Sequence, residues 1–158
     1  MEVSNGKLVF PNEKTSWVRC DVDDSIHLIA VFAQDEKTLQ TVIEKTLEYA
    51  RNFDKVKVSC PKIKRWIEKH GFEKKVCYTK LLNFRENLEK FNKYHSPEAT
   101  ATFLDYKDGL VFVKFSGPFC FSCGVYDYFE DPIQDLDVEV LEYEESDEGF
   151  IVKYKIEI

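Results

Sequence analysis

The sequence predicts an α/β chain, α+β overall, in which a mixed sheet with helices is followed by a small antiparallel β domain. Residues 26–33 form a nearly continuous apolar run, which is typical of a strand covered on both faces. Residues 39–50 place apolar side chains at three- and four-residue spacing, which indicates an amphipathic helix. Beyond Pro97, β-branched and aromatic runs alternate with turn residues, a pattern that favours antiparallel hairpins.

The elements around the central strand follow in order. Residues 7–10 and 16–22 are expected to form two strands that pair antiparallel beside it, because turn residues separate all three runs. After the amphipathic helix, residues 55–60 alternate in polarity like a half-buried strand. A strand, a crossover helix and a strand in this order should form a right-handed parallel pair.

A second helix is expected from Pro61, which suits a first helical position, to Gly71, which suits a helix end. A short strand at 74–78 and a helix at 79–95 follow, and Pro97 stops that helix. The predicted domains are residues 1–78, a connecting helix at 79–95, and an antiparallel β domain at 97–158.

Two hairpins are expected in that last domain. The first joins residues 100–106 to 110–116, and the second joins 137–143 to 150–158. The connection between the hairpins is rich in aromatic residues and carries a C-x-x-C turn.

Residues 26–73 resemble the acyl-CoA-binding core of the GNAT acyltransferase superfamily, which runs strand, loop, helix, strand, helix. Gln34 stands at the first position of the family's loop pattern, Gln/Arg-x-x-Gly-x-Gly/Ala. Lys69, Gly71 and Phe72 match the end of its closing pattern, Lys-x-Gly-Phe. The resemblance implies a GNAT-like mixed sheet, acyl-CoA as the cofactor and N-acyl transfer as the reaction.

The chain departs from that family at several positions. Lys37 and Leu39 replace small residues that let backbone N–H groups approach a pyrophosphate. The family's frequent catalytic tyrosine aligns with Ile67, which has no proton to give, so Tyr78 is the substitute candidate for the general acid. We therefore predict a divergent acyltransferase, either active or catalytically silent. The cofactor-binding candidates are Gln34, Lys37 and Thr38.

Cys120 and Cys123 form the C-x-x-C pair, and three interpretations of it stay open. One is a structural turn with buried thiols, because neighbouring phenylalanines and carboxylates disfavour a thiolate. A second is a metal or disulfide staple; a structural zinc site needs about four ligands, so zinc is a weaker cofactor candidate than acyl-CoA. The third is a redox or catalytic pair. His27, inside the apolar strand, is expected to be a hydrogen-bonded core residue rather than a ligand.

Charge is divided unevenly along the chain, whose net charge is -7. Residues 55–93 hold 12 basic and 4 acidic residues, whereas residues 115–148 hold 11 acidic and no basic ones. Either the two regions attract each other or keep the protein soluble, or the basic middle receives an anionic ligand. Lys62, Arg65 and Lys69 share one helix face, but the negative net charge and the lack of a recognition motif disfavour nucleic acid.

The competing class is a non-enzymatic binding or assembly module. Its acidic C-terminal domain would contact a basic protein partner, a second copy in a homodimer included. The sequence has no apolar run of about 18 residues and no signal-peptide layout at its start, so we expect a cytoplasmic protein without a membrane span. Few glutamines against many Lys and Glu residues favour a heat-adapted protein.

Overall fold

Two sheets organise the chain in the computed structural model. The model describes residues 2–4, 6–10, 15–117, 125–133, 136–146 and 149–157. The chain divides into two compact units, Met1–Leu82 and Asn83–Ile158, and each is built on its own sheet. The division falls inside the helix that the sequence assigned to the connection. The predicted α+β fold, a mixed sheet followed by an antiparallel sheet, is confirmed.

The first unit is built on a mixed sheet whose six described strands follow the order of the chain. The strands are β1 (Glu2–Ser4), β2 (Lys7–Val9), β3 (Trp17–Val22), β4 (Ile26–Phe32), β5 (Val56–Val58) and β6 (Val76–Tyr78). Strands β1 to β4 pair antiparallel, and β4, β5 and β6 pair parallel. The predicted parallel pair is therefore confirmed, with Ile26 opposite Val56.

Helices α1 (Glu36–Ala50) and α2 (Pro61–His70) connect the parallel strands. Both contribute to one buried cluster with the sheet, so they cover the same face of it. Ile43 of α1 and Ile63 of α2 are members of this cluster and are almost completely buried. Gly71 ends α2 with φ at +82°, a conformation that glycine adopts without strain, and its N–H donates to the Ile67 carbonyl at 2.7 Å.

The second unit contains an antiparallel sheet in the order β7-β8-β10-β9. Its strands are β7 (Thr100–Lys107), β8 (Leu110–Ser116), β9 (Val138–Ser146) and β10 (Gly149–Ile156). Both predicted hairpins are present. Helix α3 (Lys80–His95) begins in the first unit and continues in the second.

A short helix, α4 (Val125–Glu130), was not expected in the connection between the hairpins, and a single 3-10 turn, Asp131–Ile133, follows it. Its length of 6 residues is too short to show a helical period in the sequence. Tertiary contacts hold it instead. Phe129 is fully buried, and its carbonyl accepts a hydrogen bond from the Tyr154 hydroxyl at 2.6 Å.

Candidate functional site

The predicted cofactor residues lie at the start of α1, directly after β4. Asp35 caps this helix, because its Oδ1 accepts a hydrogen bond from the Thr38 N–H at 2.7 Å. This hydrogen bond is the main reason that the pKa of Asp35 lies below its usual value. Gln34 and Lys37 are exposed beside it, and Thr38 is half-buried. The Asp35 carboxylate thus already accepts a hydrogen bond from an N–H group that a phosphate would need at this helix end.

Tyr78 ends β6, which lies at one edge of the first sheet. Its side chain is 41% exposed. Partial burial raises the pKa of Tyr78 and the nearby Glu68 carboxylate raises it further, while Lys64 lowers it. The Lys64 ammonium lies 5.9 Å from the centre of the phenol ring. Tyr78 therefore keeps its proton at neutral pH, as a general acid must before it acts, and its catalytic role stays a prediction.

A buried chain of polar side chains crosses the three parallel strands. His27 Nε2 lies 2.6 Å from Ser59 Oγ, and the Ser59 hydroxyl in turn hydrogen-bonds the Thr79 hydroxyl. Burial lowers the pKa of His27 to about 4, so the imidazole is neutral at pH 7. The expectation of a hydrogen-bonded core histidine is confirmed. Ser59 is completely buried, so this chain stabilises the sheet rather than presenting a nucleophile to substrate.

A groove of about 390 Å³ lies between α1 and α2. Each wall is one helix face, because the lining positions recur at three- and four-residue spacing. The α1 wall consists of Glu36, Leu39, Gln40 and Ile43. The α2 wall consists of Lys62, Arg65, Trp66, Lys69 and His70.

The groove combines an apolar base with a positively charged wall. Leu39 and Trp66 pack against the hydrophobic core of the first unit and give the groove its apolar part. Three cations face one carboxylate, that of Glu36, which accepts a hydrogen bond from the Gln40 amide at 3.0 Å. A surplus of positive charge above an apolar base attracts anions that carry an apolar or aromatic part. The three cations are Lys62, Arg65 and Lys69.

Two aromatic rings contact each other at a tilt on the α2 wall. The Trp66 indole and the His70 imidazole lie with their centroids 4.4 Å apart and their planes inclined by 36°. The residues are one turn apart on the helix, and Lys69 is adjacent to His70 in the sequence. The wall therefore presents cations and aromatic rings to the same space.

Only the α2 wall of this groove was predicted from the sequence. The shared face of Lys62, Arg65 and Lys69 was predicted, and an anionic ligand for the basic middle of the chain was one of the alternatives that the charge distribution left open. The α1 wall was missed, although two successive right-handed crossovers to neighbouring parallel strands place their helices side by side. That rule, applied to residues 36–43 and 61–70, was the signal that could have completed the groove.

The predicted C-x-x-C site cannot be placed, since Cys120 and Cys123 lie outside the described residues. Within the described ranges, no group of three or more His, Cys, Asp or Glu side chains is arranged to hold a metal ion. In the same part of the chain, every helix is too short or too polar to cross a membrane.

Comparisons with protein-family models, with curated proteins and with solved structures find no match to this chain.

Proposed function

We propose that the first unit is a binding module that takes up a phosphate-bearing small molecule in the groove between α1 and α2. The observation that carries this proposal is the convergence of Lys62, Arg65 and Lys69 on a partly apolar groove that holds one carboxylate, Glu36. The guanidinium of Arg65 offers two parallel donors that match phosphate oxygens, and the two lysines offer compact point charges.

The size of the groove supports a small ligand. Pockets for small molecules have volumes of roughly 300–1,000 Å³, and this groove has about 390 Å³. The negative net charge of the chain opposes long-range attraction of a polyanion such as nucleic acid. A local cluster of cations inside a concave surface still binds a small anion, because salt screens distant charges more than close ones.

Binding is the function that we derive from this lining. The described residues of the groove supply charge, hydrogen-bond donors and ring surface, which are the groups that hold and orient an anion.

The direct test measures binding of inorganic tripolyphosphate to the full chain by calorimetry. One variant combines Lys62→Gln, Arg65→Gln and Lys69→Gln. The matched control combines Lys55→Gln, Lys75→Gln and Lys90→Gln, three exposed residues outside the groove lining, and so removes the same amount of charge. We expect the native chain and the control to bind alike and the groove variant to bind at least tenfold more weakly. Equal loss in both variants, or no binding by the native chain, would overturn the proposal.

A second candidate is transfer of an acyl group from acyl-CoA, active or silent. What supports it is the parallel β4–α1–β5 unit, which the GNAT resemblance requires. Thermal shift with CoA and acetyl-CoA tests it. Stabilisation that Lys37→Ala removes, while Arg65→Gln leaves it intact, would favour this candidate over the groove. Absence of stabilisation at millimolar ligand would eliminate it.

A further inference from the structure

We propose that the ligand of the groove is a nucleoside diphosphate that lies along α2 with its base stacked on the Trp66–His70 ring pair. This inference rests on the proposed function and adds the chemical class and the orientation of the ligand. It follows from the order in which charge and ring surface occur along the helix.

The phosphate end of the groove lies at the start of α2. Lys62 is in the first turn and Arg65 follows one turn later, and within this described helix the first turn carries no acidic residue. A helix N-terminus bears partial positive charge and favours phosphate, which adds to the attraction of the two side chains. Lys62 and Arg65 therefore stand at the end of the groove where α2 begins, while the third cation, Lys69, stands beside the ring of His70.

The two rings lie about one turn and about two turns beyond Lys62. Trp66 and His70 are 4.4 Å apart, centroid to centroid, and both line the groove. A purine or pyrimidine that packs on this tilted pair gains contact with ring surface, and stacking accepts every base because each has a π face. Lys62 and His70 are separated by about 12 Å along the helix axis, which suits a base, a ribose and two phosphates in a row.

The α1 wall adds a feature that tests the orientation. Both helices begin at the carboxyl ends of parallel strands, so Glu36 in the first turn of α1 lies at the same end of the groove as Lys62. The Glu36 carboxylate repels phosphate at close range. Its removal should therefore strengthen binding of a phosphate group, whereas removal of His70 should weaken only the contribution of the base.

The experiment detects ligand binding through the indole fluorescence of Trp66. The chain has two tryptophans, Trp17 and Trp66, so Trp17→Phe leaves Trp66 as the single source of indole fluorescence. This protein is titrated with ADP, with inorganic pyrophosphate and with adenosine. We expect ADP to quench Trp66 and to bind about tenfold more tightly than pyrophosphate. His70→Ala should remove that advantage and leave pyrophosphate affinity unchanged.

The outcomes separate the two proposals. Equal affinities for ADP and pyrophosphate would overturn the nucleotide inference and leave the anion-binding function standing. Failure of both to bind would overturn both proposals. If adenosine alone bound as tightly as ADP, the phosphate end would be wrong. Calorimetry on the native chain measures the same affinity ratios without Trp17→Phe, so loss of fold in that variant leaves the test intact.

Discussion

The indole of Trp66 and the imidazole of His70 lie 4.4 Å apart, centroid to centroid, on the α2 wall of the groove. One residue of this pair packs partly against the hydrophobic core, and the other is exposed. The hydrophobic core therefore supports Trp66, and Trp66 in turn supports the exposed ring of His70. Side chains that bind a ligand are best held in this way, because a rigid support fixes their geometry before the ligand arrives.

The first prediction concerns Glu36→Gln. Removal of the one carboxylate in the described lining takes a like charge away from a bound phosphate, so the affinity for pyrophosphate should rise about threefold to tenfold. Glu44→Gln, an exposed α1 residue outside the lining, is the control and should leave the affinity unchanged. Calorimetry measures both. Weaker binding by Glu36→Gln would mean that the carboxylate contacts the ligand favourably.

The second prediction concerns the cap of α1. Asp35→Ala removes the acceptor of the Thr38 N–H and should lower the free energy of unfolding by about 1 kcal/mol. Asp35→Asn keeps an oxygen acceptor and should stay close to the native value. Urea unfolding measures the two differences. If phosphate bound at this helix end, Asp35→Ala would also increase phosphate affinity, whereas binding in the groove predicts little change.

The third prediction is a pH dependence of stability that arises from His27. Burial lowers the folded-state pKa of His27 to about 4 from an ordinary value of 6.5, so the unfolded chain binds more protons between these two pH values. The native state therefore loses stability as pH falls from 6.5 towards 4, by about 3 kcal/mol in total. Above pH 6.5 the contribution of His27 is complete. The nearby Asp21 carboxylate opposes the shift, and Lys57 and Arg19 add to it.

The variant His27→Gln isolates this effect. Its side chain can still hydrogen-bond Ser59 but does not titrate, so the fall in stability across this window should be smaller than in the native chain. Urea unfolding at pH 4.5 and pH 7 measures the difference. Identical pH profiles for the two proteins would show that His27 titrates alike in the folded and unfolded states.

The fourth prediction tests how α4 is held in the second unit. Tyr154→Phe removes the hydroxyl that donates to the Phe129 carbonyl and leaves that carbonyl buried without this donor. The free energy of unfolding should fall by about 1–3 kcal/mol. Tyr94→Phe is the control, because Tyr94 is 79% exposed, and it should change stability little. A negligible effect of Tyr154→Phe would mean that ring packing alone holds the helix.

Local signals were sufficient for most of the fold. The apolar run at 26–33, the periodic helix that follows it and the proline at position 61 lie in adjacent segments of the chain. The rule for strand–helix–strand crossovers was therefore enough to predict the parallel pair. The second hairpin was also predicted, although β9 extends to Ser146 rather than Tyr143. Helix α4 was missed because six residues are too few to show a helical period, and strand β1 was missed because Val3 is its single apolar residue.

The candidate site was less accessible to sequence reasoning. Residues 36–43 and 61–70 are distant in the chain, and their shared groove arises only when both helices cover one face of the sheet. The Asp35–Thr38 hydrogen bond likewise depends on the conformation of the residue before the helix. The family's loop pattern points to Gln34, Lys37 and Thr38 at the start of α1, whereas the charge pattern points to the basic face of α2 that lines the groove.

The most direct measurement of the central claim compares the two indole N–H signals by proton–nitrogen NMR during a titration with pyrophosphate. Trp66 lines the groove, and Trp17 stacks on Phe32 in a different part of the first unit. Binding in the groove predicts that the Trp66 signal, together with backbone signals of residues 36–43 and 62–70, shifts with saturation while the Trp17 signal stays in place. A stationary Trp66 signal, or shifts confined to residues 34–38, would contradict the assignment of this groove as the binding site.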